Sequence, residues 1–167
     1  AEMNTSPIYI VGAQEPGIAR GMVLKTRATF EEALAVAKSG DIKTVVLYEA
    51  VTVTEDTTYD IGGVTIESDG DVFVVENGTL TINGDGVVNA GLSGVGSWCA
   101  VWANGGKVVI NGGTYSVGDD ANTTDVTHQN DVIYTKNGGT VEIYGGTFLN
   151  NGNVWTLNKN DKTGGDI

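Results

Sequence analysis

The chain has 167 residues, with 25 glycines and only 2 prolines. That composition suits many tight turns, and the length suits one domain with a sizeable core. A formal net charge of −12, with 9 Lys and Arg in all, argues against nucleic acid or an anionic membrane surface as partner, because phosphate recognition needs clustered cations.

No apolar run reaches membrane-spanning length, so membrane insertion is not expected, and the start carries no charged-then-apolar leader. Residues 1–28 read as a lead-in whose pattern differs from that of the remaining chain. Ile8 to Val11 has the pattern of a short strand, and Gly12 to Gly21, holding Pro16 and Gly17, that of an irregular loop. The segment is expected either to lie across the end of the domain or to attach it to a virion or cell-surface assembly. Both arginines, Arg20 and Arg27, fall within it.

Residues 29–40 (TFEEALAVAKSG) predict a helix. Thr29 and Glu32 have the spacing of a capping box, Gly40 suits a left-handed C-terminal residue, and Phe30, Ala33, Leu34 and Ala37 form one apolar stripe. A short amphipathic helix ahead of a stack of strands is expected to cover the stack's end, which otherwise exposes core and strand edges.

Residues 41–167 are repetitive. Asn104 to Val117 (NGGKVVINGGTYSV) recurs as Asn137 to Asn150 (NGGTVEIYGGTFLN) after 33 residues, with a looser copy at Asn77 to Ala90 (NGTLTINGDGVVNA). Self-similarity at that period marks a solenoid, whose units bury their apolar faces against one another. Alternation along a strand places Leu80, Val108 and Val141 in one inward column and Ile82, Ile110 and Ile143 in the next. Thr81, Val109 and Glu142 then point outward, and Val87, Tyr115 and Phe148 are expected as a third inward column. For the strand preceding each copy, two pairs of columns compete for the interior. One pair is Val72/Cys99/Val132 with Val74/Val101/Tyr134, the other Phe73/Ala100/Ile133 with Val75/Trp102/Thr135. Three short strands per coil predict an all-β parallel β-helix with a short N-terminal capping helix, and right-handed crossovers are the expected hand. The last coil opens at Val154 and stops at Ile167, so a fragment of a longer protein, or completion by another chain, is expected.

The stretch TFEEALAVAKSGDIKTVVLYEAVTVTEDTTYDIGGVTIES, together with GGKVVINGGTY and GGTVEIYGGTF, resembles pectate-lyase-like right-handed parallel β-helix proteins. Members of that kind occur in bacteriophage fibres and tail spikes and in bacterial surface proteins. The resemblance spans roughly residues 29–157 and implies the fold more than a function. Pectate lyases of this fold hold Ca²⁺ with carboxylates and use an arginine base. Polygalacturonases use separate Asp residues with Gly-His-Gly and Arg-Ile-Lys elements. This chain has no arginine after Arg27 and neither element, so it is not expected to be an enzyme, and no catalytic residue, cofactor or metal is assigned.

The acidic stretch Gly118–Asp131, with Asp119, Asp120, Asp125, Asp131 and the lone His128, reads as a solvated loop with hard oxygen ligands suited to weak Ca²⁺ binding. Trp98, Trp102, Tyr144 and Trp155 are the carbohydrate-binding or interface candidates, with Tyr134 as a further ring, because aromatic faces stack on sugars and fill interfaces. Asn77, Asn104 and Asn137 read as a structural ladder of turn residues. Cys99 lies in a strand pattern and reads as a small buried hydrophobe. Sequons at Asn4, Asn77 and Asn122 matter only in a eukaryotic secretory setting. The expected function is structural and recognitive: part of a bacteriophage virion fibre or spike, with self-association as a trimer and polysaccharide as a possible ligand. The alternatives are a bacterial surface adhesin and a polysaccharide lyase or hydrolase whose active site lies outside this chain.

Overall fold

The computed structural model describes residues 9–11, 25–27, 29–94, 96–119 and 130–167. Sixteen short strands and one helix are present among them. The strands form three sheets in which every pairing is parallel. The first sheet runs, from one edge, β2 (Lys25–Arg27), β1 (Tyr9–Val11), β3 (Thr44–Leu47), β6 (Thr65–Ser68), β9 (Val87–Ala90), β12 (Thr114–Val117) and β15 (Thr147–Phe148). The second holds β4 (Val51–Val53), β7 (Phe73–Val75), β10 (Cys99–Asn104), β13 (Asp131–Lys136) and β16 (Trp155–Lys159). The third holds β5 (Thr57–Asp60), β8 (Thr79–Asn83), β11 (Lys107–Ile110) and β14 (Thr140–Ile143). From β3 onward the chain visits first, second and third sheet in turn, the path of a parallel β-helix or solenoid.

From β5 onward a Gly-containing turn ends each strand before the next sheet begins, which keeps the strands short. The register then stacks like residues on like. Leu80/Val108/Val141 and Tyr59/Ile82/Ile110/Ile143 are the inward columns of the third sheet. All except Ile143 are buried. Thr81/Val109/Glu142 form the outward column between them, as the alternation predicts.

Two column assignments need correction. In the first sheet the inward column is Val45/Ile66/Val88/Tyr115/Phe148, so Val88 rather than Val87 sits beneath Tyr115. The Asn77 turn is one residue shorter than its copy, but the turn after Ile82 (Asn83 to Gly86) is one residue longer, and the core register shifts accordingly. In the second sheet neither competing set is real. The columns are Val51/Phe73/Val101/Ile133/Leu157, Val74/Trp102/Tyr134 and Val53/Val75/Ala103/Thr135, the first and third inward. Anchoring the copies on their Asn-Gly turns misplaces the strands before them, because turns absorb an added residue and a packed core does not.

The helix α1 (Phe30–Ser39) buries Phe30, Ala33, Leu34 and Ala37, and the Thr29 Oγ1 accepts the Glu32 N–H at 3.2 Å. Gly40 is not left-handed; its φ is −104°, and the chain leaves in extended form towards β3 while the Gly40 N–H still closes on the Val36 carbonyl. Phe30 packs edge-on to Tyr59 at 4.9 Å and to Phe73 at 5.7 Å. The helix therefore covers the first coils from below. Two strands of the lead-in, β1 and the unforeseen β2, extend the first sheet past β3. At the other end the chain folds back on the third sheet, where the Val141 N–H reaches the Asp166 carbonyl and the Gly165 N–H the Gly139 carbonyl, both at 2.9 Å. The edge of β14, expected to be open, is thus partly covered by the chain's own final residues.

Candidate functional site

Trp98 stands at the corner where the first sheet passes to the second. The turns 47–50 and 68–71 of successive coils stack there and, with Ser93 and Trp98, line a groove of about 520 Å³. Its walls include Tyr48, Glu49, Ser68, Asp69, Asp71 and Trp98. The sequence reaches this arrangement through small and polar turn residues. Ser68 Oγ accepts the Gly70 N–H at 3.1 Å, and Ser93 Oγ donates to the Asp69 carbonyl at 2.9 Å, tying one coil to the next. Gly70 lies against the indole plane, and a Cβ there would sit 3.2 Å from Trp98 Cε3. The ring is therefore seated on bare backbone.

The fully buried Asn130 fixes the backbone at this corner. Its Oδ1 accepts the Trp98 N–H at 3.0 Å, and its Nδ2 donates to the carbonyls of Gly118, at 2.9 Å, and of Gly94. A buried amide with these partners ties the β9–β10 connection to the β12–β13 connection.

Along the same corner the register aligns Cys99 with Asp131 and Trp155. Asp71 joins from the coil below, its Oδ1 accepting the Cys99 N–H at 2.7 Å. Burial raises the Asp71 carboxyl above its ordinary range, against the lowering effect of that bond. Burial pushes the Asp131 carboxyl up to about 7, partly offset by the hydrogen bond from Asn158. The Cys99 thiol is pushed well above its usual value by burial, then by the Asp131 and Asp71 carboxylates. It is held as a thiol, a poor nucleophile, in keeping with a buried structural cysteine.

The four aromatic candidates do not converge. Trp98 lines the groove. Trp102 lies on the outer face of the second sheet, its ring centroid 6.2 Å from that of Tyr134, and its buried Nε1 meets no acceptor among the described residues. Tyr144 is 72% exposed at the end of the third sheet, bonded through its hydroxyl to Glu142. Trp155 begins β16 and is partly exposed. Of the acidic stretch, residues 120–129, including Asp120, Asp125 and His128, lie outside the described residues. Asp119 accepts the Asn153 N–H at 2.7 Å. Asp131 is not part of a solvated loop: it is buried at the start of β13. Among the described residues no cluster of three or more His, Cys, Asp or Glu side chains is placed to hold a metal ion.

The Asn ladder is partly as expected. Asn137, with φ 55°, donates through Nδ2 to Asn104 Oδ1 at 2.7 Å, whereas Gly78 and Gly105 take the positive φ in the other two turns. A second rung, unforeseen, joins Asn111 to Asn83 at 2.8 Å. The sequence reading also missed Gly70 and Asp71 as walls of the groove, and Asn130 as the buried amide that holds the Trp98 N–H. A Gly-Asp pair just before a strand was the only signal for the first two, and Asn130 had none.

Comparisons with protein-family models, curated proteins and solved structures give no match for the chain. The groove geometry is what bears on function. It offers an aromatic ring seated on backbone, beside carboxylates and hydroxyls. Such a surface suits a ligand that presents an apolar face for stacking and hydrogen-bond donors at its rim.

Proposed function

We propose that the chain is a structural and recognition protein, a segment of a bacteriophage fibre or spike that binds saccharide on its flank. In this reading it is a right-handed, pectate-lyase-like β-helix, it has no catalytic role, and it works as a trimer. The groove at Trp98 carries the reading. A ring seated on Gly70 is positioned for the apolar face of a pyranose, while Ser and Asp side chains stand where sugar hydroxyls would reach. Stacked parallel coils suit a stiff projecting element, and the right hand follows from the preference of parallel crossovers. Self-association is supported by the large apolar side chains left exposed in the last coil: Tyr144, Leu149, Trp155 and Leu157.

Binding of the purified chain to a glycan array, compared with Trp98→Ala, tests the recognition reading. Retained binding of a defined glycan that the variant loses supports it, and a blank array with a folded, native chain overturns it. Peptides of the chain in purified virions, found by mass spectrometry, would support the fibre over a cell-surface adhesin. Light scattering decides the trimer: a monomer at micromolar concentration overturns it.

A further inference from the structure

Asn is followed by Gly six times in the chain, at Asn77, Asn83, Asn104, Asn111, Asn137 and Asn151. This pair has a chemistry of its own. A glycine presents no side chain, so its amide nitrogen can approach the preceding Asn Cγ and attack it. The attack requires a side-chain amide able to turn and a glycine N–H not held by an acceptor.

The coils withhold one or both at five of the six pairs. Asn104 and Asn137 are joined by a side-chain bond, and the Gly105 and Gly138 N–H groups donate to the Lys136 and Thr163 carbonyls at 3.0 and 2.7 Å. Asn83 and Asn111 are joined at 2.8 Å. The Gly152 N–H donates to Asn150 Oδ1 at 3.2 Å. Asn77 differs on both counts. The register sets Ala103 over Val75 and Lys107 over Thr79, so Asn77 lies under Gly105, which offers no side chain to continue the ladder. Asn77 is exposed, and neither its side chain nor the Gly78 N–H makes a hydrogen bond among the described residues.

We infer that Asn77 is a site of spontaneous covalent modification, where the main chain rearranges to isoaspartate. The Gly78 nitrogen gives its proton to water or hydroxide and bonds to Asn77 Cγ; the Cγ–Nδ2 bond breaks and ammonia leaves. Water then opens the five-membered imide at either carbonyl, giving aspartate or isoaspartate. Isoaspartate lengthens the main chain by one methylene in a tightly tied turn. There the Thr79 N–H donates to Asp56 Oδ1 and the Lys107 N–H to the Gly78 carbonyl, both at 2.9 Å. The new carboxylate also stands in a turn packed on the Glu55–Asp56 backbone, so the start of β8 is where the modified chain loosens first.

The test incubates the intact chain in warm, mildly alkaline buffer and follows each Asn-Gly peptide by mass spectrometry, with an isoaspartate-specific methyltransferase as a second readout. Asn77 should be modified roughly tenfold or more faster than Asn104 or Asn137, the factor expected if the bonds that close their rung must open first. In denaturant the six pairs should converge, because those bonds are gone. Asn77→Gln should remove the early product and leave the fold intact. Modification at any other pair as fast as at Asn77 in the folded chain overturns the inference. An Asn77 preference that survives in denaturant overturns its structural origin.

Discussion

Asn158 Nδ2 donates to Asp131 Oδ1 at 2.9 Å, joining the last two strands of the second sheet through a buried carboxyl group. The carboxyl faces Cys99 on β10 and, beyond it, Asp71, so no cation compensates its charge among the groups aligned with it. Its proton is therefore held to about pH 7 in the folded chain.

The consequence for stability has a definite sign. A carboxyl whose folded pKa is raised above its unfolded value of 3.8 stabilises the fold when protonated. That contribution is complete below about pH 4 and is lost as pH rises through about 7; a shift of this size corresponds to at most roughly 4 kcal/mol. Asp71 acts in the same direction. The exposed Asp60, Glu142 and Asp166, held below their ordinary range chiefly by bonds from the Gly62 N–H, Lys107 and Lys159 respectively, lose their contribution only on further acidification. Thermal unfolding should show the midpoint falling between pH 5 and pH 8, and Asp131→Asn should flatten that fall. An equally steep fall in the variant would refute the assignment.

Ile110 tests the third-sheet core. It is fully buried between Ile82 and Ile143 in one column. Ile110→Ala should cost about 2–5 kcal/mol, and Ile110→Asp, which buries an unpaired charge, should prevent folding. Thr81→Asp, next to Ile82 in the coil below but on the outward column, should change stability by no more than about 0.5 kcal/mol. Chemical denaturation of the three variants measures all of this, and a tolerated Ile110→Asp would show the register to be wrong by one residue.

Phe30 anchors the helix to the open end. Phe30→Ala should cost about 3–5 kcal/mol, since the ring packs against both Tyr59 and Phe73. Tyr59→Phe should cost about 1–2 kcal/mol by removing the 2.6 Å hydrogen bond from its hydroxyl to Glu31. Hydrogen exchange on the Phe30 variant should report early opening of α1 and β3, with β11 and β14 still protected. Uniform loss of protection would show that the helix is integral to one cooperative unit rather than a lid.

Two adjacent glycines separate two physical effects. A Cβ at Gly139 would collide with the backbone carbonyl of Ala103 in the coil below. A Cβ at Gly138 meets nothing within 4 Å, but Gly138 has φ +80°. Gly139→Ala should therefore cost about 1–3 kcal/mol or more through overpacking, and Gly138→Ala about 1–2 kcal/mol through backbone strain alone. Denaturant midpoints of the two variants test the order, and a larger loss at Gly138 would overturn it.

The sequence by itself determined the repeating coil, the capping helix and the columns around Leu80 and Ile82. Those features rest on local periodicity and on residues that alternate within one strand, which the chain carries whatever lies above or below it. It did not determine the second-sheet columns, the partner of Tyr115 or the strand β2, because these depend on how many residues each turn absorbs. A turn accommodates an extra residue at little cost, while a packed column shifts every side chain by one face. The groove was legible only as Trp98. Its other walls come from turns some twenty to thirty residues apart in sequence, brought together by stacking at about 4.8 Å per coil. Likewise, nothing in the sequence distinguishes Asp131 from the acidic residues just before it. Its burial against Cys99 and its bond to Asn158 arise only when three coils stand in register, and that stacking is what raises its pKa.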